Sequence, residues 1–328
     1  IGGGTTDIAF AKDKNISHVT SFRFASNTLF ENSFSELDED NGIVDWHKNE
    51  ILKLLEEKNL MDLIRVFNSP NNTKPANMAS FLFGLKDNTI PQRAGVNVKA
   101  IDFNYILQED EDFKIVFIIF YTAIVYHIAQ IVKSLNLEVP RHISFSGNGS
   151  KVIRVITTDS KLLARYTKMV FEKLLGKPYG KELDLLGLEK DSNPKESTCK
   201  GGIIGTEDED NRDKTIVFKS DCTGLVTPKD TYANIKDDYK RRTVTAVEDF
   251  FKFVLVDMNS AFNFDKNFGV KPSSIRIAQE MAKKDLLTFL EKGISQRCEE
   301  TEAEDMIEET FFYYPIKGVL NAISAEIY

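Results

Sequence analysis

Between Phe113 and Leu135 the chain is almost continuously apolar, with Val116-Phe117-Ile118-Ile119-Phe120 near its start. A stretch of that length and composition has to leave water, either in a bilayer or inside a fold. Lys114, His127, Gln130 and Lys133 interrupt it, and no asymmetry of basic loops flanks it, which argues against a membrane span. The expectation is a helix buried between a sheet and other helices. A fold able to cover such a helix on every side is the strongest constraint the sequence imposes.

The rest of the chain is long enough to supply that cover. Its 328 residues suggest two domains, or one large domain with insertions. Hydrophobic residues make up 42% and charged residues 28%, as in an ordinary folded protein. A formal charge of −8 and a pI near 5.3 speak against a nucleic-acid partner, which needs a concentrated basic face. Cys199, Cys222 and Cys298 are odd in number and widely spaced, so no disulfide framework or thiolate metal site is expected. His18, His47, His127 and His142 are scattered and read as structural residues. Nothing at the front resembles a signal peptide, so a cytoplasmic location is the default. The opening Ile1-Gly2-Gly3-Gly4 reads as a loop, which suggests a piece cut from a longer chain.

Along the chain, Ile8-Ala9-Phe10 reads as a strand, Asp13-Lys14-Asn15 as a turn, and Ile16 to Phe24 as an alternating second strand. Leu29 to about Ala100 is helical and insertion-like, with Asp45 capping a helix from Trp46 to Lys58. His142 to Ser146 reads as a buried strand, Leu162 to Leu175 as an amphipathic helix and Gly176 to Pro194 as loop. The charged run Glu207 to Asp213 marks a boundary, placing one domain over 1–205 and a mostly helical appendage over 206–328. Within that appendage, Thr243 to Asn259, Ser274 to Lys292 and Phe311 to Ile327 are the expected helices.

Two loops carry chemistry. Gly2-Gly3-Gly4-Thr5-Thr6-Asp7 reads as a loop between a strand and the outgoing strand of a hairpin. Its glycines let main-chain N–H groups approach an anion, and the hydroxyls of Thr5 and Thr6 can donate to phosphate oxygens. Asp7 suits a hydrated magnesium ion, bound through water. Gly147-Asn148-Gly149-Ser150 follows a strand and opens a helix, where free N–H groups and the helix dipole favour a phosphate or ribose.

Ile1-Gly2-Gly3-Gly4-Thr5-Thr6-Asp7-Ile8 resembles the second phosphate loop of the actin, heat-shock chaperone and sugar-kinase superfamily. Ile143 to Ser150 resembles that superfamily's adenosine loop, and Lys200-Gly201-Gly202-Ile203-Ile204 the small-residue segment that closes its ATPase domain. The three stand in the family's order over residues 1 to about 205, closest in flavour to the bacterial actins of plasmid segregation and cell division. The resemblance implies an α/β, ribonuclease-H-like lobe with a mixed sheet, three antiparallel strands first and then parallel ones. About 36–100 would be an inserted small subdomain. Thr5 and Asp7 would be the catalytic candidates, Asp7 holding magnesium through water. Gly2, Gly3, Gly4, Thr5, Thr6, Gly147, Asn148, Gly149 and Ser150 would bind ATP or ADP.

Three features depart from the family pattern. The acidic residue that precedes the glycine loop in relatives would fall before Ile1, and the first phosphate loop belongs to a separate N-terminal lobe. Ala25-Ser26 stands where relatives often carry two glycines, and the added Cβ atoms would narrow the approach to a nucleotide. The resemblance therefore implies a magnesium-dependent ATPase switch or a filament protein when joined to the N-terminal lobe, with negligible hydrolysis by this chain alone. The alternative is a degenerate actin-like fold that serves as a protein-interaction module, with self-association or a protein partner docking through 206–328. A sugar kinase fits less well, since its sugar-binding residues lie largely on the other lobe.

Overall fold

The computed structural model describes residues 1–12, 15–30, 112–188, 237–300 and 309–327, together with a short helix and a few further positions between 52 and 68. The chain is an α/β protein. β1 (Thr6–Lys12) and β2 (Asn15–Phe22) form an antiparallel hairpin, with a register shift between Phe10 and Ala11. A 3₁₀ turn at Ser26–Leu29 follows. α1 is Leu52–Glu57, and α2, Lys114–Ser134, is the apolar segment singled out above. Then come β3 (His142–Ser144), a long 3₁₀ helix (Asn148–Val155), α3 (Ser160–Leu175) and β4 (Asp184–Leu186), which pairs in parallel with β3.

α4 (Asp237–Lys252) runs on through a π-helical turn, Phe253–Met258, into Asn259–Phe262. α5 (Phe264–Phe268), α6 (Pro272–Met281), α7 (Leu286–Glu300) and α8 (Glu309–Ile327) complete the described chain.

α2 is buried on all faces, which explains its composition. Of an 18-residue window in it, 83% is buried within the fold, although the helix is long and apolar enough to cross a membrane. α3 packs along it through two buried hydroxyl pairs, Tyr121 with Thr167 and Tyr166 with Thr122, both at 2.6 Å. Local signals fix α3: the Asp159 carboxylate accepts from the N–H groups of Lys161 and Leu162, and Gly176 ends the helix at φ 65°.

Tyr166 also meets the rings of Phe262, Phe264 and Phe268 edge-on, at 5.1–5.8 Å between centroids. At the other end of the core, Tyr313 of α8 stacks on Phe22 and Phe24, at 4.6 and 4.5 Å. The helices beyond 237 thus share one hydrophobic core with α2 and the hairpin.

Several expectations need correction. A single mixed sheet opening with three antiparallel strands was expected, whereas the described residues hold two separate two-stranded sheets. β3 was expected to be buried, yet His142 and Ser144 are exposed and Ile143 half-buried; among the described residues β4 alone pairs with it. β4 itself falls in a stretch read as loop. The helix expected over Ser274 to Lys292 is two helices, broken where Asp285 accepts from the N–H groups of Leu287 and Thr288 and starts α7. The subdomain near 36–100 apart from α1 and scattered neighbours, the segment at Lys200–Ile204, the charged run 207–213 and the 205/206 boundary lie outside the described residues.

Candidate functional site

The two glycine loops meet, although some 145 residues separate them. The main-chain nitrogen of Ile1 donates to the carbonyl of Ser146 at 2.8 Å. A Cβ built on Gly149 would stand 2.0 Å from the carbonyl oxygen of Gly2, and one on Gly147 would stand 2.5 Å from that of Ile1. Real side chains do not approach so closely, so both positions need glycine for the loops to touch. Gly147 has φ 81° as well, a left-handed backbone that a Cβ would strain.

The first loop is held by its carbonyl groups. The Gly2 N–H donates to the Thr5 carbonyl at 2.9 Å, closing a turn. The Gly2 carbonyl accepts from the N–H of Ser26 at 3.3 Å and from its hydroxyl at 3.0 Å, and the Gly3 carbonyl accepts from the Asn27 N–H at 2.9 Å. No main-chain hydrogen bond engages the N–H groups of Gly3, Gly4 or Thr5 among the described residues, and all three residues are exposed. The loop's carbonyl acceptors are tied back, while three consecutive N–H donors have no main-chain partner among the described residues.

The side chains divide into those that face the loop's outer side and those that face the core. Thr5 is exposed. Thr6 is buried, and its hydroxyl donates to the Phe24 carbonyl at 2.6 Å, so in this conformation its proton is committed to the fold. Asp7 is exposed and opposite Ser21 in the hairpin, whose hydroxyl donates to Asp7 Oδ1 at 2.6 Å. That bond engages one carboxylate oxygen of an exposed side chain. Asn148 is exposed, while Ser150 is fully buried with its hydroxyl on the Gly147 carbonyl at 2.8 Å. Ser150 therefore shapes the second loop from behind.

Ser26 and Asn27 were not among the expected site residues, yet they hold the first loop. Ala25 and Ser26 are buried under it. A further glycine, Gly187, sits at φ 83° where a Cβ would stand 2.2 Å from the Phe145 carbonyl, and so lets β4 close against the strand that leads into the second loop. No three His, Cys, Asp or Glu side chains converge on a metal-sized site among the described residues. Asp7 is the carboxylate carried by the first loop itself.

No protein-family model, curated protein or solved structure matches this chain.

Proposed function

We propose that this chain supplies the second phosphate loop and the adenosine loop of a magnesium-ATP site in a ribonuclease-H-like, actin-type lobe. The observation that supports it is the convergence of two glycine loops, with the N–H groups of Gly3, Gly4 and Thr5 left free on exposed residues beside the Asp7 carboxylate. In this reading the free N–H groups and the Thr5 hydroxyl bind the terminal phosphates, and Asp7 orients a magnesium-bound water. Gly147, Asn148 and Gly149 form the adenosine side. Hydrolysis requires phosphate, metal and attacking water to be positioned together, and an N-terminal lobe provides the remaining groups. The joined protein is then an ATPase switch or a filament protein.

A second reading has a specific observation behind it. The hydroxyls of Thr6 and Ser150 are turned into the fold, and the space beside Gly147 and Gly149 is filled by the main chain of Ile1 and Gly2. A site lined in that way serves equally as a rigid joint in an interaction module that takes no nucleotide.

Isothermal titration of magnesium-ATP and magnesium-ADP into the protein joined to its N-terminal lobe, with Asp7→Ala alongside, separates the two. Binding that weakens at least tenfold in the variant supports the nucleotide site. Absence of binding in both leaves the interaction module.

A further inference from the structure

Asp7 is an acidic residue inside a strand, where aspartate is depleted because its short polar side chain competes with the ladder. Directly across the hairpin stands Ser21. Its hydroxyl donates to Asp7 Oδ1 at 2.6 Å, within the range of a hydrogen bond to a carboxylate. The ladder is regular here: the register runs unbroken from Thr6 opposite Phe22 to Phe10 opposite His18 and shifts only beyond Phe10. The next pair along is anchored in the fold. Thr6 is buried and gives its hydroxyl proton to the Phe24 carbonyl, and Phe22 is buried against the rings of Tyr313 and His127. The main chain beside the Asp7–Ser21 pair is thereby held, while Asp7 is exposed and Ser21 half-buried.

The direction of the hydroxyl bond decides what the pair can bind. A serine hydroxyl has one proton and two lone pairs, and a carboxylate has lone pairs only. With the Ser21 proton given to Asp7, every remaining hydrogen-bonding site on the two side chains is an acceptor. A magnesium ion that keeps its water shell presents donors alone. No three His, Cys, Asp or Glu side chains converge here among the described residues, so the donor set suits a contact through water rather than direct chelation. Magnesium beside a nucleotide takes its inner ligands largely from phosphate oxygens and water, which is compatible with so small a protein contribution.

We propose that Ser21 is a positioning residue for magnesium: its hydroxyl orients the Asp7 carboxylate and leaves the pair only acceptors for the waters of a hydrated ion. The proposal rests on the nucleotide-site reading above and adds to it a residue outside both glycine loops.

The test uses the chain extended by the proposed N-terminal lobe, with ADP as nucleotide and Mn²⁺ as probe, free Mn²⁺ being read by electron paramagnetic resonance. Each protein is titrated with ADP in EDTA, and Mn²⁺ is then added to the one-to-one ADP complex prepared without chelator. Ser21→Ala is expected to bind metal-free ADP as the parent does and to bind Mn²⁺ roughly tenfold more weakly, the scale of losing a partner that orients a metal-site group. Ser21→Thr keeps the hydroxyl on a residue type suited to strands and is expected to restore Mn²⁺ affinity. Equal Mn²⁺ affinity in the parent and Ser21→Ala, or no rescue by threonine, would overturn the proposal and leave the nucleotide site standing. Metal-free ADP binding weakened as much as Mn²⁺ binding would also overturn it, by showing a merely structural role. A parent that binds no ADP, with or without metal, overturns the nucleotide-site reading and this proposal with it.

Discussion

Gly149 and Gly2 are in main-chain contact, with room for a hydrogen but not for a methyl group between the Cα of one and the carbonyl of the other. Gly4, two residues further along the same loop, has nothing within 4 Å of where its Cβ would be. The loop is thus packed on one side and open on the other. Gly149→Ala is expected to force the loops apart and to destabilise the protein by about 1–3 kcal/mol, the usual range for overpacking. Gly4→Ala should stay within about 0.5 kcal/mol of the parent, as an open surface position does. Urea unfolding of the two variants checks this, and equal midpoints would refute the contact.

The hydroxyl pairs between α2 and α3 make an asymmetric prediction. Thr167 donates to the Leu163 carbonyl at 2.8 Å, so the proton in its bond with Tyr121 comes from the tyrosine. Tyr121→Phe removes that donor and leaves no unpaired proton behind, for a cost of about 1 kcal/mol. Thr167→Val strands the buried tyrosine hydroxyl, for a cost of about 2–3 kcal/mol. Thermal unfolding of both variants should show the threonine change to be the more damaging. The opposite order would mean that the proton runs the other way.

His127 gives the fold a pH dependence. Its Nε2 is shut away from solvent without a partner, beside the rings of Phe22 and Tyr313 at 4.8 and 5.9 Å. Burial lowers its pKa from the ordinary 6.5 to about 4, since the charged ring would be desolvated. A depressed histidine pKa means that the unfolded chain takes up the proton first. Its contribution is therefore in place above pH 6.5 and is lost as the pH falls toward 4, by at most about 1.4 kcal/mol per pH unit. His127→Phe should flatten the stability profile over that interval, measured by urea unfolding from pH 7.5 to 4. Parallel profiles for variant and parent would refute it.

Much of the fold could be read from local signals. The apolar run at 114–134 reads as a buried helix, and Asp159 and Gly176 bracket α3 as a cap and a stop. The last helix followed from the apolar stretch at Phe311 to Ile327. What escaped the sequence depends on distant partners. β4 is three residues long, Asp184-Leu185-Leu186, too short to show alternation, and it exists because β3 lies beside it. The stacking of Tyr313 on Phe22 and Phe24, which brings the C-terminal helices into the first core, joins positions almost 300 apart and leaves no local trace. In the candidate site, the glycines and Asp7 were visible as a motif. The role of Ser26 and Asn27 in holding the loop was not, because apart from the Ser26 hydroxyl it rests on main-chain N–H donors that any residue except proline supplies.

The central claim is that the free N–H groups of the first loop receive phosphate oxygens while the second loop flanks the same ligand. The most direct measurement is the amide NMR spectrum of the glycine-labelled chain, extended by the proposed N-terminal lobe, through a titration with magnesium-ATP. The account predicts that the Gly3 and Gly4 amides shift together, saturably, with those of Gly147 and Gly149, and that Asp7→Ala weakens the response. Unchanged glycine amides at saturating magnesium-ATP, or shifts confined to residues outside both loops, would contradict it.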